Sequence, residues 1–144
     1  MTKLEVVYYT GTWDLFHIGH LRSLEKAREL GDRLIVGVTT DDFSESYKGI
    51  RPIIPLEQRC EILSALRCVD VAIPTRFAMD FEPMIKYGVT IRAVGPEYGS
   101  GLRQPEEHIE ALRWMGGQGI KVVRVPRTPG VSTTLIKKRI REVE

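Results

Sequence analysis

The fold class is decided by residues 4–20, which read LEVVYYTGTWDLFHIGH. The first six, Leu4–Tyr9, are mostly β-branched or aromatic, and Thr10-Gly11 ends the run, so we predict a buried β-strand. Apolar residues then recur at helical spacing from His20 to Leu30, and Gly31 is the expected C-terminal stop of this helix. A buried strand followed directly by a helix is typical of the first half of a βαβ unit.

The same alternation continues along the chain. We predict further strands at Leu34–Thr39, Val69–Ile73, Ile91–Val94 and Lys121–Val125. We predict further helices at Pro55–Leu66, Glu82–Tyr87, Pro105–Met115 and Ser132–Val143. Strands separated by helices favour right-handed crossovers and a parallel sheet. We therefore predict an α/β fold, a Rossmann-like open parallel five-stranded sheet with helices on both faces, formed by a single domain over residues 1–144.

Composition narrows the function classes. The 144 residues include 21 Lys plus Arg and 19 Asp plus Glu, a formal charge of +2 that gives no broad cationic field, so we predict neither a nucleic-acid nor a membrane partner. No apolar run approaches the roughly 18 residues of a membrane span, and the N-terminus does not resemble a signal peptide, so we expect a cytoplasmic protein. Cys60 and Cys68 lie in one predicted helix, about 12 Å apart by helical rise, and we expect them to be buried thiols in a reducing compartment.

The carboxyl ends of parallel strands are where such a sheet binds ligands. The segments that follow the predicted strands and carry polar residues are Thr10–His20, Thr39–Arg51, Gly95–Arg103 and Arg127–Thr134. Asp41–Ile54 is the longest stretch without a predicted element and is long enough to be a functional loop.

Two of these segments combine groups that bind phosphate. His17 and His20 stand at a predicted helix N-terminus, where free N–H groups and the helix dipole favour anions, and Gly19 allows close approach. A lone histidine is more often structural, and we read His108 as a solvated surface residue. Two of only three histidines in one turn favour function.

The second such segment, Arg127–Thr134, precedes the last predicted helix. Ser132 alone would be read as an N-cap. Arg127 and Gly130 beside it favour a phosphate site, because a guanidinium and free N–H groups converge there.

These two segments resemble the signatures H-x-G-H and R-T-x-G-x-S-T-T of the nucleotidyltransferases of the cytidylyltransferase type. The match spans nearly the whole chain and looks most like the bacterial glycerol-3-phosphate cytidylyltransferases. It also includes Gly31-Asp32, Thr40-Asp41, Lys48-Gly49, Gln58-Arg59 and Val69-Asp70. The resemblance implies an enzyme, usually dimeric, in which a substrate phosphate attacks the α-phosphorus of a nucleoside triphosphate and pyrophosphate leaves.

The resemblance also implies the partners. We expect a nucleoside triphosphate, with CTP favoured, a small phosphorylated alcohol as acceptor, with glycerol 3-phosphate the best guess, and a homodimer. Mg2+ would be bound through the nucleotide phosphates, with no metal ligand supplied by the protein.

Site residues follow position by position from the same resemblance. The implied catalytic residues are His17, His20, Lys48 and Arg127. The implied nucleotide-binding residues are Thr12, Trp13, Asp14, Gly19, Gly95, Glu97, Arg127, Thr128, Ser132 and Thr133. The implied acceptor-binding residues are Lys48 and Arg59. We read Lys137-Lys138-Arg139 as a solvated helix face and not as a nucleic-acid contact.

The identities of the nucleotide base and of the acceptor stay open. The reason is that Gly95-Pro96-Glu97-Tyr98 stands where glycerol-phosphate enzymes tend to carry Gly-Asp-Asp. The segment Lys48–Arg59 also resembles adenylyltransferases that act on sugar phosphates or flavin, which makes ATP with a sugar phosphate or FMN the alternative. Arg127-Thr128 favours CTP. A nucleotide-binding regulatory module without catalysis is a third possibility. An aminoacyl-tRNA synthetase fragment and a dinucleotide oxidoreductase are poorly supported, since the chain has no room for tRNA-binding domains and no G-x-G-x-x-G follows the first strand.

Overall fold

A computed structural model describes residues 3–76, 80–100 and 105–143. Its strands are β1 (Val6–Gly11), β2 (Arg33–Thr39), β3 (Val71–Thr75), β4 (Ile91–Val94) and β5 (Lys121–Arg124). Its helices are α1 (Ile18–Glu29), α2 (Asp41–Lys48), α3 (Leu56–Ser64), α4 (Phe81–Lys86), α5 (Pro105–Gly117) and α6 (Thr133–Glu142).

The strands form one parallel sheet in the order β3-β2-β1-β4-β5. Strand β1 is central and pairs with β2 from Val6↔Arg33 to Gly11↔Val38 and with β4 from Val7↔Ile91 to Tyr9↔Ala93. The chain reverses its direction of travel across the sheet between β1 and β4, and this reversal opens a crevice at their carboxyl ends. The predicted Rossmann-like α/β fold is confirmed.

Side chains of β1 alternate between two cores because successive residues of a strand point to opposite faces. Val7 packs on one face in a cluster that takes Leu24 from α1 and Leu63 from α3. Tyr8 packs on the other face in a cluster that takes Met84 from α4 and Met115 from α5. Helices therefore cover both faces, as the sequence predicts for a parallel sheet.

The stretch Asp41–Ile54 is not irregular throughout, because its first eight residues form α2. Thr40 caps this helix by accepting a hydrogen bond from the backbone N–H of Phe43 at 3.3 Å, and Gly49 ends it with a φ of 78°. Both are ordinary helix boundary signals.

Three smaller expectations also change. Helix α3 ends at Ser64, so Cys60 and Cys68 do not share a helix, although both are free. They are half-buried rather than buried, and burial raises the pKa of each thiol. His108 is half-buried and packs edge-on against the Tyr98 ring at 4.7 Å, so it is not simply a solvated surface residue.

None of the helices in the described part of the chain combines the length and apolar composition needed to cross a lipid bilayer.

Candidate active site

The turn between β1 and α1 is held in one shape by Trp13. Its backbone has a φ of 57°, in the left-handed region, and its indole N–H donates to the carbonyl of Gly37 at 3.1 Å. The ring packs edge-on against Tyr9 and His20. A Cβ at Gly11 would lie 2.9 Å from that ring, so the close approach requires glycine there. The turn is therefore a fixed platform for the histidines that follow.

His17 and His20 form a reciprocal cap at the start of α1. The Nδ1 of His17 accepts hydrogen bonds from the backbone N–H groups of Gly19 at 3.0 Å and His20 at 3.4 Å. The Nδ1 of His20 accepts from the backbone N–H of His17 at 3.3 Å. The two rings stack with centroids 3.8 Å apart. This arrangement fixes both rings at the anion-binding end of the helix.

The caps also fix the protonation of both imidazoles. A backbone N–H can only donate, so each Nδ1 must be unprotonated and each Nε2 carries the ring proton. Burial lowers the pKa of His17, and burial together with the neighbouring His17 lowers the pKa of His20 to about 4. At neutral pH the pair is uncharged and presents two Nε2–H donors, which suits phosphoryl oxygens.

Asp14 shapes the site through the backbone. One carboxylate oxygen accepts from the N–H of Ile53 at 2.8 Å, and the other accepts from the N–H groups of Ile54 at 2.9 Å and Leu15 at 3.1 Å. The side chain therefore ties the segment after α2 to the β1–α1 turn.

Arg59 does not face the cleft, which corrects the expectation that it binds acceptor. Its side chain is fully buried and donates to the carbonyls of Ile54, Thr12 and Thr39 at 2.7–2.8 Å. It also pairs with the Asp41 carboxylate at 2.6 Å. With these partners the guanidinium joins two loops, the end of β2 and the start of α2 beneath the site, and it positions the residues around it.

Lys48 reaches the cleft from the last turn of α2. Its ammonium donates to Thr12 Oγ1 at 3.0 Å. Burial lowers the pKa of Lys48, and so does the nearby Lys137 cation, while Asp14 opposes the shift. Helix α2, which the sequence analysis did not predict, therefore brings Lys48 to the site.

The N-terminus of α6 forms a further part of the cleft wall. Ser132 caps the helix by accepting from the N–H of Leu135 at 3.1 Å, so it is an N-cap as well as a cleft residue. Thr133 Oγ1 donates to the carbonyl of Asp14 at 3.1 Å, which attaches α6 to the β1–α1 turn. The N-termini of α1 and α6 thus meet at one place, and both favour anions.

Arg127 lies at the edge of the cleft and pairs with Glu97 at 2.5 Å. Both side chains are more than half exposed. Glu97 itself does not line the cleft, whereas Gly95, two residues before it, does. The end of the expected ligand segment, Gly101–Arg103, lies outside the described residues.

The cleft has a volume of about 520 Å³. The structure brings most of the expected site residues to its walls: Thr12, Trp13, Asp14, His17, Gly19, His20, Lys48, Gly95, Arg127, Thr128, Ser132 and Thr133. Glu97 adjoins the cleft through Arg127, and Arg59 lies beneath it. In the part of the chain that the structure describes, no cluster of three or more His, Cys, Asp or Glu residues is arranged to hold a metal ion.

Lys137 is a cleft residue that the sequence analysis did not assign to the site. It lines the cleft and is half-buried, whereas Lys138 and Arg139 are exposed. The reading of all three as a solvated face is therefore wrong for Lys137. A usable signal was its position four residues after Thr133, which places both on one face of the helix.

Comparisons with known proteins agree with this geometry. A family model described as Cytidylyltransferase-like matches residues 8–139. The FAD synthase of Pyrococcus abyssi is 35% identical over 137 residues, 92% of this chain and 90% of that protein. The glycerol-3-phosphate cytidylyltransferase of Bacillus subtilis is 33% identical over 94% of this chain and 96% of that protein. Among solved structures, the lipopolysaccharide core biosynthesis protein from Thermoplasma volcanium GSS1 matches with a TM-score of 0.71 and 27% identity, covering 88% of this chain and 99% of that one.

Proposed function

The chain belongs to the cytidylyltransferase-like family, and from that premise we propose that it transfers CMP from CTP to a small phosphorylated alcohol, with glycerol 3-phosphate as the first candidate. That it is a nucleotidyltransferase follows from the family and from the named activities of its relatives. The observation that best supports the reaction is the stacked His17–His20 pair, which provides two neutral N–H donors in the cleft that the N-terminus of α6 also lines.

In the proposed reaction an oxygen of the acceptor phosphate attacks the α-phosphorus of the nucleotide. The bond between that phosphorus and the oxygen bridging to the β-phosphate breaks, and pyrophosphate leaves with the electron pair. His17 and His20 donate Nε2–H hydrogen bonds to phosphoryl oxygens as charge develops on them. Such donors stabilise a transition state because they are already oriented before the reaction begins.

The cations and hydroxyls of the cleft hold the remaining phosphate charge. We assign contacts with the phosphates to Lys48, Arg127, Ser132 and Thr133, since all four line the same cleft. Lys48 also lies where it can hold the acceptor phosphate near the α-phosphorus. Positioning and charge neutralisation are sufficient for this chemistry, and no covalent enzyme intermediate is needed.

Glu97 and Gly95 are the residues to which we assign base recognition. A carboxylate can accept a hydrogen bond from an exocyclic amine, which cytosine and adenine both carry. Uracil lacks such an amine, so this assignment disfavours UTP. It does not separate CTP from ATP.

Transfer of AMP is therefore the second candidate, with FMN or a sugar phosphate as acceptor. It is favoured by the similarity to a FAD synthase over 92% of this chain and by the change from an acidic pair to Pro96-Glu97. A regulatory module without turnover is the third. It predicts nucleotide binding with no release of pyrophosphate.

Magnesium fits this cleft as an ion carried by the nucleotide. Among the described residues that line the cleft, the one carboxylate is that of Asp14, which already accepts backbone hydrogen bonds on both oxygens. When bound through the phosphates, Mg2+ supplies charge neutralisation. The protein side chains of the site then hold phosphate oxygens rather than the ion.

We also propose that the enzyme is a cytoplasmic homodimer. Two free thiols fit a reducing compartment. Ile140 and Val143 of the α6 end are 61% and 78% exposed, and such apolar side chains are available for a subunit contact. Sedimentation velocity at micromolar concentration tests the dimer, which a monomer mass would contradict.

The deciding experiment is thermal unfolding with magnesium and each of CTP, ATP, GTP and UTP. A ligand at 100 times its dissociation constant stabilises a fold by about 2.7 kcal/mol, which is a rise in Tm of about 9 °C for a chain of this length. A shift with CTP alone supports the first candidate, and a shift with ATP alone supports the second. Pyrophosphate release is then measured with glycerol 3-phosphate, FMN and sugar phosphates, and His17→Ala serves as the inactive control. Unchanged turnover in that variant would contradict the mechanism.

A further inference from the structure

Arg92 is a buried cation in the strand next to β1. It lies opposite Tyr8 where β4 pairs with β1, and its guanidinium is 5.2 Å from the centre of the Tyr8 ring. The residue is only 3% exposed. Charged side chains are almost never buried to this extent unless a group of opposite charge accompanies them. The environment of Arg92 therefore calls for an explanation.

The guanidinium reaches the cleft through Thr10. Its Nη2 donates to Thr10 Oγ1 at 2.8 Å, and its Nη1 donates to the backbone carbonyls of Ala93 at 2.8 Å and Tyr8 at 3.4 Å. Of these three partners, Thr10 is the one that lines the cleft. The charge of Arg92 thus lies directly behind a cleft residue, at the carboxyl end of β1.

The described part of the protein places no opposite charge against Arg92. No carboxylate in residues 3–76, 80–100 and 105–143 forms an ion pair with it, and its Nε–H has no hydrogen-bond acceptor. Burial lowers the pKa of the guanidinium, but an arginine keeps its proton in proteins. The positive charge is therefore present and uncompensated.

Arg59 shows what a structural arginine has in the same fold. It is equally buried, but it pairs with the Asp41 carboxylate at 2.6 Å and joins separate segments of the chain. Arg92 bonds only to its own strand and to the adjacent strand β1. A buried charge without a partner lowers the stability of a fold, because the ion loses its hydration. An anion in the cleft would provide the missing opposite charge.

We propose that Arg92 is a positioning residue for anion binding, whose uncompensated charge lowers the stability of the free protein and raises its affinity for a phosphorylated ligand in the cleft. It acts through Thr10 and does not touch the ligand. The inference rests on the proposed function only in taking the anion to be the nucleotide or the phosphorylated acceptor. Phosphate groups are the chemistry that the two share, and the experiment separates them.

The test removes the charge of Arg92 in two ways. Arg92→Met replaces the guanidinium by an apolar chain, and Arg92→Gln keeps an amide that can donate a hydrogen bond. Arg33→Met is the matched control, because Arg33 is exposed at the amino end of β2 and its loss changes the net charge equally. Urea unfolding without ligand gives the stability of each protein.

Binding is measured without turnover. Calorimetric titration with magnesium and CTP or ATP gives the affinity for the nucleotide, and NMR titration gives the weaker affinity for cytidine or adenosine. The nucleoside has the same base and ribose but no phosphate. A distorted cleft therefore weakens both ligands, whereas a lost charge weakens the nucleotide alone. Steady-state kinetics at saturating nucleotide give KM for the acceptor.

We expect both Arg92 variants to fold, with urea midpoints at or above that of the wild type. Each should bind the nucleotide, or the acceptor as judged by KM, at least about 10-fold more weakly. One unit charge acting on another over about 10 Å at an effective dielectric constant of about 20 has an effect of this size. Nucleoside affinity should change by less than about twofold, and Arg33→Met should change no ligand by more than that, since exposed charges at a distance are screened.

A loss of nucleotide affinity assigns the effect of the charge to the nucleotide, and a loss confined to KM for the acceptor assigns it to the acceptor. Unchanged binding of both, or an equal loss for nucleotide and nucleoside, would overturn the proposal. So would lower urea midpoints or a failure of both variants to fold, because Arg92 would then stabilise the free protein.

These outcomes are separate from those of the proposed function. A wild-type protein that binds nucleotide but never releases pyrophosphate refutes the proposed enzyme, while the titrations still decide the role of Arg92. A wild-type protein that releases pyrophosphate and shows no effect of the Arg92 variants keeps the enzyme and loses this inference. A wild-type protein that binds neither nucleotide refutes both.

Discussion

Replacing Arg59 by Met should destabilise the fold more than any other single change at the site. The guanidinium is fully buried and is the donor to three carbonyl oxygens and to the Asp41 carboxylate. Met fills much of the same volume but leaves those acceptors without their donor. Breaking one partner of a buried ion pair costs about 3–5 kcal/mol. With an unfolding entropy of about 2.1 cal/mol/K per residue, this corresponds to a fall in Tm of about 10–16 °C.

Urea unfolding at pH 7 is the appropriate assay, because a fall in the midpoint at an unchanged slope reports lost stability. The matched control is Arg51→Met. Arg51 contacts the carboxylates of Asp42 and Glu45 at 2.8 and 3.1 Å, but its side chain is 54% exposed, so we expect little change. Similar midpoints for the two variants would refute the reasoning that burial makes the Arg59 network matter.

Three further predictions concern the histidines and α6. His17→Gln should lower kcat by about 10²- to 10³-fold, because it removes an oriented hydrogen-bond donor, and it should change the free energy of unfolding little. A raised KM at unchanged kcat would instead assign His17 to substrate binding alone. The pKa of His20 is about 4 in the folded state against 6.5 for a free histidine, so the unfolded chain binds more protons between these values and stability should fall as the pH drops from 6.5 toward 4. His20→Gln should reduce that dependence in urea midpoints measured at pH 7 and pH 5, and an equal slope in the variant would contradict the assignment. Thr133→Val removes the hydrogen bond to Asp14, so it should raise KM for nucleotide by at least several-fold and lower the free energy of unfolding by about 1 kcal/mol. Steady-state kinetics and urea unfolding measure the two effects. An unchanged KM would show that this hydrogen bond does not position the cleft wall.

The fold could be predicted from the sequence because its signals are local. The β-branched and aromatic run around Tyr8 and the turn after it identify β1 whatever the rest of the chain does. Strand β3 shows the limit of such signals, since it runs from Val71 to Thr75 through Pro74, which a strand pattern argues against. Proline is tolerated there because β3 lies at the edge of the sheet. That position is a property of the assembled sheet and not of the segment.

The site was predicted where one segment contains its own chemistry and was missed where distant segments meet. His17 and His20 cap each other within four residues, so the sequence shows the pair directly. Only the family resemblance assigns Arg59 to the acceptor, since a lone arginine in a predicted helix shows nothing of its partners. Its partners Thr12 and Thr39 lie 47 and 20 residues away in the chain, and only the fold brings them to it.

Helix α2 was missed for another reason. Its residues are mostly polar, so no apolar repeat indicates a helix there. The stronger signals for this helix are its boundary residues, Thr40 and Gly49. Lys137 was missed because the face that α6 turns inward depends on the Thr133–Asp14 hydrogen bond, which spans 119 residues. Rotation of a helix about its axis is set by tertiary contacts of this kind.

The attachment of α6 to the β1–α1 turn has a consequence for local opening of the protein. The helix is tied to that turn by the hydrogen bond from Thr133 to the carbonyl of Asp14, whereas the five strands hold one another by their own pairing. Detachment of α6 would therefore remove Ser132 and Thr133 from the cleft while the sheet stays paired, because parts of a protein can open at less cost than global unfolding. A ligand that bridges the two helix N-termini should in turn slow amide hydrogen exchange in α6 more than in β1.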